Sequence, residues 1–285
     1  MRSVKGFTLI ELVVVIVLST IVVSFMAMFI AGPVRAYTDQ ARRSELVDLA
    51  EGALRRVARD VRRALPNSVR VTTSGSVVAL EMLNTVDGVR YREQPPPNDP
   101  DKQLDFAAAD SAFNSVGVFT GISKPFSSSS HYLSVYNVGV AGADAYELAN
   151  VITPPGTQID IDADATPGED NVTLSPAFRF AYGSPAQRIF LLDGPLTYLC
   201  DLGAGTLTRY AGYGIAALQS DRDSAAELMA AGATGTLVSD QVAACSIVYA
   251  AGTSQRAGLV SMQLGISDVG ETISLQHQVH VNNVP

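Results

Sequence analysis

Histidine and cysteine are scarce in this chain: three His and two Cys among 285 residues. Two lone cysteines make a poor metal cage, and the one H-x-x-H string, His277 to His280, sits in an alternating stretch (Ile273, Leu275, Val279, Val281) that reads as a strand. Residues three apart on a strand face opposite sides, so the two imidazoles cannot share an ion; His277 falls on the apolar face and His280 on the polar one. No G-x-S-x-G, P-loop, dinucleotide fingerprint or H-E-x-x-H string is present. The sequence therefore offers no case for an enzyme and calls for no cofactor. Positive charge is also short, the formal net being −8. Nucleic-acid binding needs clustered positive charge, so no nucleic-acid partner is expected.

What the chain does have is concentrated at its start. A short basic leader (Arg2, Lys5) ends at Gly6, and an apolar run of 24 residues, Phe7 to Ile30, follows with Glu11 as its one charge. At ~1.5 Å per helical residue that run can cross a bilayer. A carboxylate inside it costs roughly 2.5–3.5 kcal/mol on insertion scales, so by default it marks a function and a partner. A secretory signal would have a shorter apolar core and a small-residue cleavage site after it. A plain signal anchor would explain the length and the basic flank, but not Glu11.

The string Gly6-Phe7-Thr8-Leu9-Ile10-Glu11 resembles the processing site of type IV pilins and type II secretion pseudopilins. The resemblance implies cleavage by a prepilin peptidase between Gly6 and Phe7, and methylation of the new amine on Phe7. It assigns subunit assembly to Glu11, in the place of the family's glutamate, and to the neighbouring Thr8. Charge gives the same reading: the freed Phe7 amine is a cation at the membrane face. A carboxylate one helical turn along reaches a staggered neighbour's amine more easily than its own. Such a pair sets register more than it adds net stability.

The remainder is acidic. Without residues 1–6, 18 basic residues stand against 28 acidic ones, a net of −10. The basic leader predicts a cytoplasmic N-terminus and a periplasmic remainder. There Cys200 and Cys245 are expected to form a disulfide, two separate buried thiols being the alternative. The closed loop of about 45 residues is worth ~4 kcal/mol at most in the chain-entropy account.

Ala31-Gly32-Pro33 should weaken or kink the helix at the membrane exit. Helical periodicity resumes over 34–65: Val47, Ala50, Leu54, Val57, Val61 and Ala64 form one apolar stripe. Arg55, Arg56, Arg59, Arg62 and Arg63 fall opposite, and Pro66 closes the helix. The arginines read either as a solvated face, tempered by Glu51–Arg55 at i, i+4, or as a docking face for an acidic neighbour. Lipid headgroups suit them poorly, since Arg55 lies about 24 residues, or ~36 Å of straight helix, past the exit.

From 67 to 285 the period is mostly two, giving a β-rich domain. Ser68–Thr73 and Val77–Leu83 predict a hairpin around Ser74-Gly75-Ser76. Residues 94–101 read as a rigid polar loop, and about 94–175 as an elaborated middle region. Further strands are predicted at Phe178–Phe180, Gln187–Leu192, Leu196–Asp201, Thr206–Tyr210, Val242–Tyr249, Gly258–Gly265 and Thr272–Val281. Ser224–Ala231 predicts a short helix. The expected architecture is α+β, a long N-terminal helix (transmembrane half, amphipathic half) packed on antiparallel sheet. That is also the pilin fold which the resemblance implies. In DIDADATPGEDN, the acids Asp160, Asp162 and Asp164 have the alternate spacing of a calcium loop. Ala165 stands where an EF-hand needs Gly, and Asn171 where it needs Glu, so the main reading is a solvated acidic turn.

The strings at 194–213 (GPLTYLCDLGAGTLTRYAGY), 242–252 (VAACSIVYAAG) and 277–285 (HQVHVNNVP) look like the O-type minor pilins of the mannose-sensitive haemagglutinin (MSHA) pilus. Residues 54–71 are similar to that group, and more distantly to J-type pseudopilins. The resemblance implies a low-abundance subunit that primes or caps assembly. Its implied partners are major and minor pilins, the prepilin peptidase and the inner-membrane assembly platform. A membrane-anchored periplasmic binding or adhesin domain is the alternative from another class.

Overall fold

The computed structural model describes residues 6–96, 99, 102–252, 257–281, 283 and 285. Arg2, Lys5 and much of the predicted polar loop lie outside the described residues. The chain divides into two units, Met1–Asp48 and Leu49–Pro285.

One helix, α1 (Leu9–Arg62), fills the first unit and ends in the second. Thr8 starts it: the Glu11 amide donates to Thr8 Oγ1 at 3.4 Å and the Leu12 amide to the Thr8 carbonyl at 3.2 Å. Pro33 lies inside the helix, which continues unbroken through Ala31-Gly32-Pro33. A proline removes one amide donor, and long helical flanks on both sides propagate through it. The helix stops at Arg62 rather than Leu65. By then the backbone has switched to sheet pairing, with the Leu65 amide donating to Leu83 O at 2.8 Å and the Thr85 amide to Arg63 O at 3.0 Å.

The second unit is α+β, mostly antiparallel sheet. Its strands are β1 (Arg70–Ser74), β2 (Val77–Tyr91), β3 (Asp110–Val116), β4 (Phe126–Ser128), β5 (Tyr132–Ser134), β6 (Gln158–Ala163) and β7 (Asp170–Phe178). They continue as β8 (Arg188–Asp201), β9 (Thr206–Ala211), β10 (Thr234–Ser239), β11 (Val242–Ala250), β12 (Gly258–Asp268) and β13 (Glu271–Val281). A ten-stranded sheet runs β10-β9-β8-β2-β3-β7-β6-β4, with β1 on β2 and β5 on β8; β11-β12-β13 form a second sheet. A short helix, α2 (Ala225–Ala230), follows Ser224.

The predicted β1–β2 hairpin is present, with Gly75 at φ +59° in its turn. Gln187–Leu192 and Leu196–Asp201 prove to be one strand, β8, which carries a register shift where it passes β2 near Gly194, itself at φ +117°. Glycine there lets the strand bulge and absorb Pro195 without breaking. Phe180 lies beyond the end of β7, and β10 was not foreseen. The middle region, expected as an elaborated stretch with short strands, holds β3 to β7 joined by long irregular segments. Its strands enclose a core of their own that includes Tyr91, Phe113, Phe119, Leu133, Ile159, Ile161 and Val172.

Candidate functional site

Phe7 is 79% exposed, and apolar side chains from Leu9 to Ile30 are exposed along the helix. This is the one candidate membrane span among the described residues, by length and composition. Glu11 lies exposed within it, bonded to the Thr8 hydroxyl at 3.5 Å. Thr8-x-x-Glu11 has the spacing of a helix-capping box, a signal present in the sequence that gives Thr8 a physical role.

The amphipathic half of α1 orients as the periodicity predicts. Ala50, Leu54, Val57, Val61 and Ala64 are buried and Val47 is half-buried. Arg55, Arg59, Arg62 and Arg63 are exposed, with Arg56 half-buried. Arg55 pairs with Glu51, as the i, i+4 spacing suggested, and Arg63 donates through Nε and Nη2 to the Thr85 carbonyl at 3.2 and 3.0 Å. Sequence reasoning missed Asp60, which sits in the buried stripe. Its carboxylate accepts from the Tyr198 hydroxyl and from Arg209 Nε, both at 2.8 Å, tying α1 to β8 and β9. Burial, reinforced by this bond, pushes the Tyr198 phenol well above its ordinary value.

A second buried network also escaped the sequence reading. Glu81, fully buried on β2, accepts from Arg70 Nε at 2.8 Å and from the Tyr213 hydroxyl at 3.1 Å. Desolvation outweighs the Arg70 cation, so the Glu81 carboxyl lies above its ordinary value. Arg70 also stacks on the Tyr146 ring, 3.5 Å from its centroid. The network is enclosed by the fold, and its work is structural.

Cys200 is buried on β8 and Cys245 half-buried on β11, so the pair spans the two sheets. Both are free thiols here; the expected disulfide is not formed in this structure. Interaction with the Cys245 side chain, together with burial, pushes the Cys200 thiol well above its ordinary value.

The acidic hairpin of β6 and β7 does not gather a ligand set. Asp160 accepts from Ser127 Oγ at 2.6 Å and from Gln158, which holds its carboxyl below the usual range. Asp164 is bonded by Lys102 at 2.9 Å, which lowers it further, and Asp162 accepts from the Ala163 amide. Glu169 pairs with Arg92, and Asp170 with Lys124 at 2.6 Å. Three of these carboxylates thus already hold a cation from the chain itself, and no group of three or more metal-ligating side chains occurs among the described residues. His277 and His280 lie on β13, His277 half-buried and His280 exposed, as alternation predicts.

An α+β unit preceded by an exposed apolar helix with one near-terminal carboxylate fits the class of membrane-anchored proteins. The family model of the prokaryotic N-terminal methylation motif matches residues 1–27. The match supports a protein of the type IV pilin or pseudopilin type, one that engages the pilus machinery including prepilin peptidase. Searches of curated proteins and of solved structures gave no match.

Proposed function

We propose that this chain is a minor pilin that primes or caps assembly of an MSHA-type pilus and has no catalytic role. Prepilin peptidase cleaves it between Gly6 and Phe7, and Phe7 is methylated. Residues 7–30 stay in the inner membrane until assembly, with the β-rich domain in the periplasm. There Cys200 and Cys245 close into a disulfide that joins β8 to β11. Glu11 sets subunit register by pairing with a neighbour's Phe7 amine. The observation that carries this reading is the coincidence of the methylation motif with an uncovered apolar helix holding a single carboxylate.

Glu11→Val tests it. The variant is expected to insert and fold normally yet be lost from isolated pilus or pseudopilus material. Wild-type levels in the assembly would instead favour an anchored binding or adhesin domain. Incorporation into a secretion pseudopilus rather than a pilus would favour the J-type reading.

A further inference from the structure

Three clefts on the second unit run into one another and share an arginine lining. The first, about 580 Å³, lies between the helix arginines Arg55, Arg56, Arg59 and Arg62 and His277 of β13. The second, about 210 Å³, shares Arg62 with it and adds Arg63, Thr85, Arg188 and Phe190. The third, about 580 Å³, shares Thr85, Arg188 and Phe190 and adds Arg90, Val116 and Val118. The result is one groove rich in arginine with apolar side chains beside it, in a chain that carries −10 without residues 1–6.

Its charges are not internally balanced. Arg90 and Arg188 are direct cross-strand partners on β2 and β8, a like-charge placement that destabilises a sheet. Among the described residues, no carboxylate forms an ion pair with Arg59, Arg62, Arg90 or Arg188, although other cations of the chain (Arg70, Arg92, Lys124, Arg209) each hold one. His277 lines the same groove, and its Nε2 is shielded from solvent and has no hydrogen-bond partner.

We infer that this groove docks an acidic, amphipathic helical segment of a neighbouring subunit, a partner that rests on the assembly reading above. Arg59 and Arg62 are spaced at about one helical turn, so carboxylates at the same spacing on a partner helix can meet them in bidentate pairs. Phe190, Val116 and Val118 would take the apolar edge of such a segment. A long polyanion such as nucleic acid would meet the net negative charge of the rest of the molecule, whereas a short acidic helix would not.

The test uses the full chain in detergent and a helix-forming peptide with glutamates at i, i+4 and leucines beside them. A peptide with glutamine for each glutamate is the control. We expect salt-sensitive binding of the glutamate peptide, weakened at least about tenfold by Arg90→Gln/Arg188→Gln and unaffected by the exposed Arg179→Gln. We also expect the double variant to melt at or above the wild-type temperature, since it removes opposed like charges. Equal binding of the glutamine peptide, undiminished binding by the double variant, or tighter binding of duplex DNA would overturn the inference. So would a fall in its melting temperature, which would make the two arginines structural. The readout does not depend on N-terminal processing. If the peptide binds but the chain retains Met1, the groove stands and the assembly reading fails; if processing occurs and the peptide does not bind, the reverse holds.

Discussion

Asp60 shows how one residue connects the helix to the sheet. Side chains around it on α1 (Leu54, Val57, Val61) are buried and apolar, and its carboxylate holds Tyr198 and Arg209 across the interface. Replacing it with alanine leaves a buried phenol and a largely buried guanidinium without their acceptor. Orphaned groups of this kind cost about 2–3 kcal/mol here, between the values for a lost hydrogen bond and a broken buried pair. Asp60→Ala should therefore lower the melting temperature by roughly 5–10 °C, whereas Arg179→Gln, on the surface, should leave it unchanged. Equal melting of Asp60→Ala and wild type would show that the contact is idle. The sequence concealed this residue because an acid in an apolar stripe is legible only once its partners, 138 and 149 positions away, are known. Glu11 was legible for the opposite reason: its surroundings are contiguous in the chain.

At the scale of elements, local signals were read well and long-range pairings were not. The helical stripe of α1, the β1–β2 turn at Gly75 and helix α2 rest on neighbours in sequence, and each falls near its expected place. Ser224 caps α2, accepting from the Glu227 amide at 3.3 Å while Glu227 Oε2 accepts from the Ser224 amide at 3.1 Å. Ser224→Ala should cost ~1 kcal/mol and speed amide exchange within 225–230 about fivefold, with exchange in β8 unchanged. No local change in exchange would mean that packing of Leu228 alone holds the helix. The organisation of the middle region was not legible, for a physical reason. β4 and β5 have three residues each, too few for a period of two to show. The region's core residues, among them Phe119 and Leu133, come together only through pairings distant in sequence. The continuity of β8 was hidden likewise, since Gly194-Pro195 reads as a break until β2 is laid beside it.

Across the whole molecule, ionisation of buried phenols sets an alkaline limit. Burial holds Tyr146, Tyr198 and Tyr213 above the ordinary 10.0 in the folded chain. The unfolded chain releases those protons near pH 10, so it binds fewer protons than the fold above that point. The stability these phenols contribute is complete below pH 10 and is lost progressively as pH rises beyond it. Part of the tyrosinate absorbance should appear only together with loss of β-sheet circular dichroism. Full ionisation before any loss of structure would contradict the burial of these rings.

The account rests most heavily on the first residues of the chain, where the methylation motif and the lone carboxylate coincide. The measurement that tests it most directly is the intact mass and N-terminal sequence of the protein recovered from native membranes. The account predicts a chain that begins at Phe7 and carries one added methyl group. A chain that still begins at Met1 would contradict it.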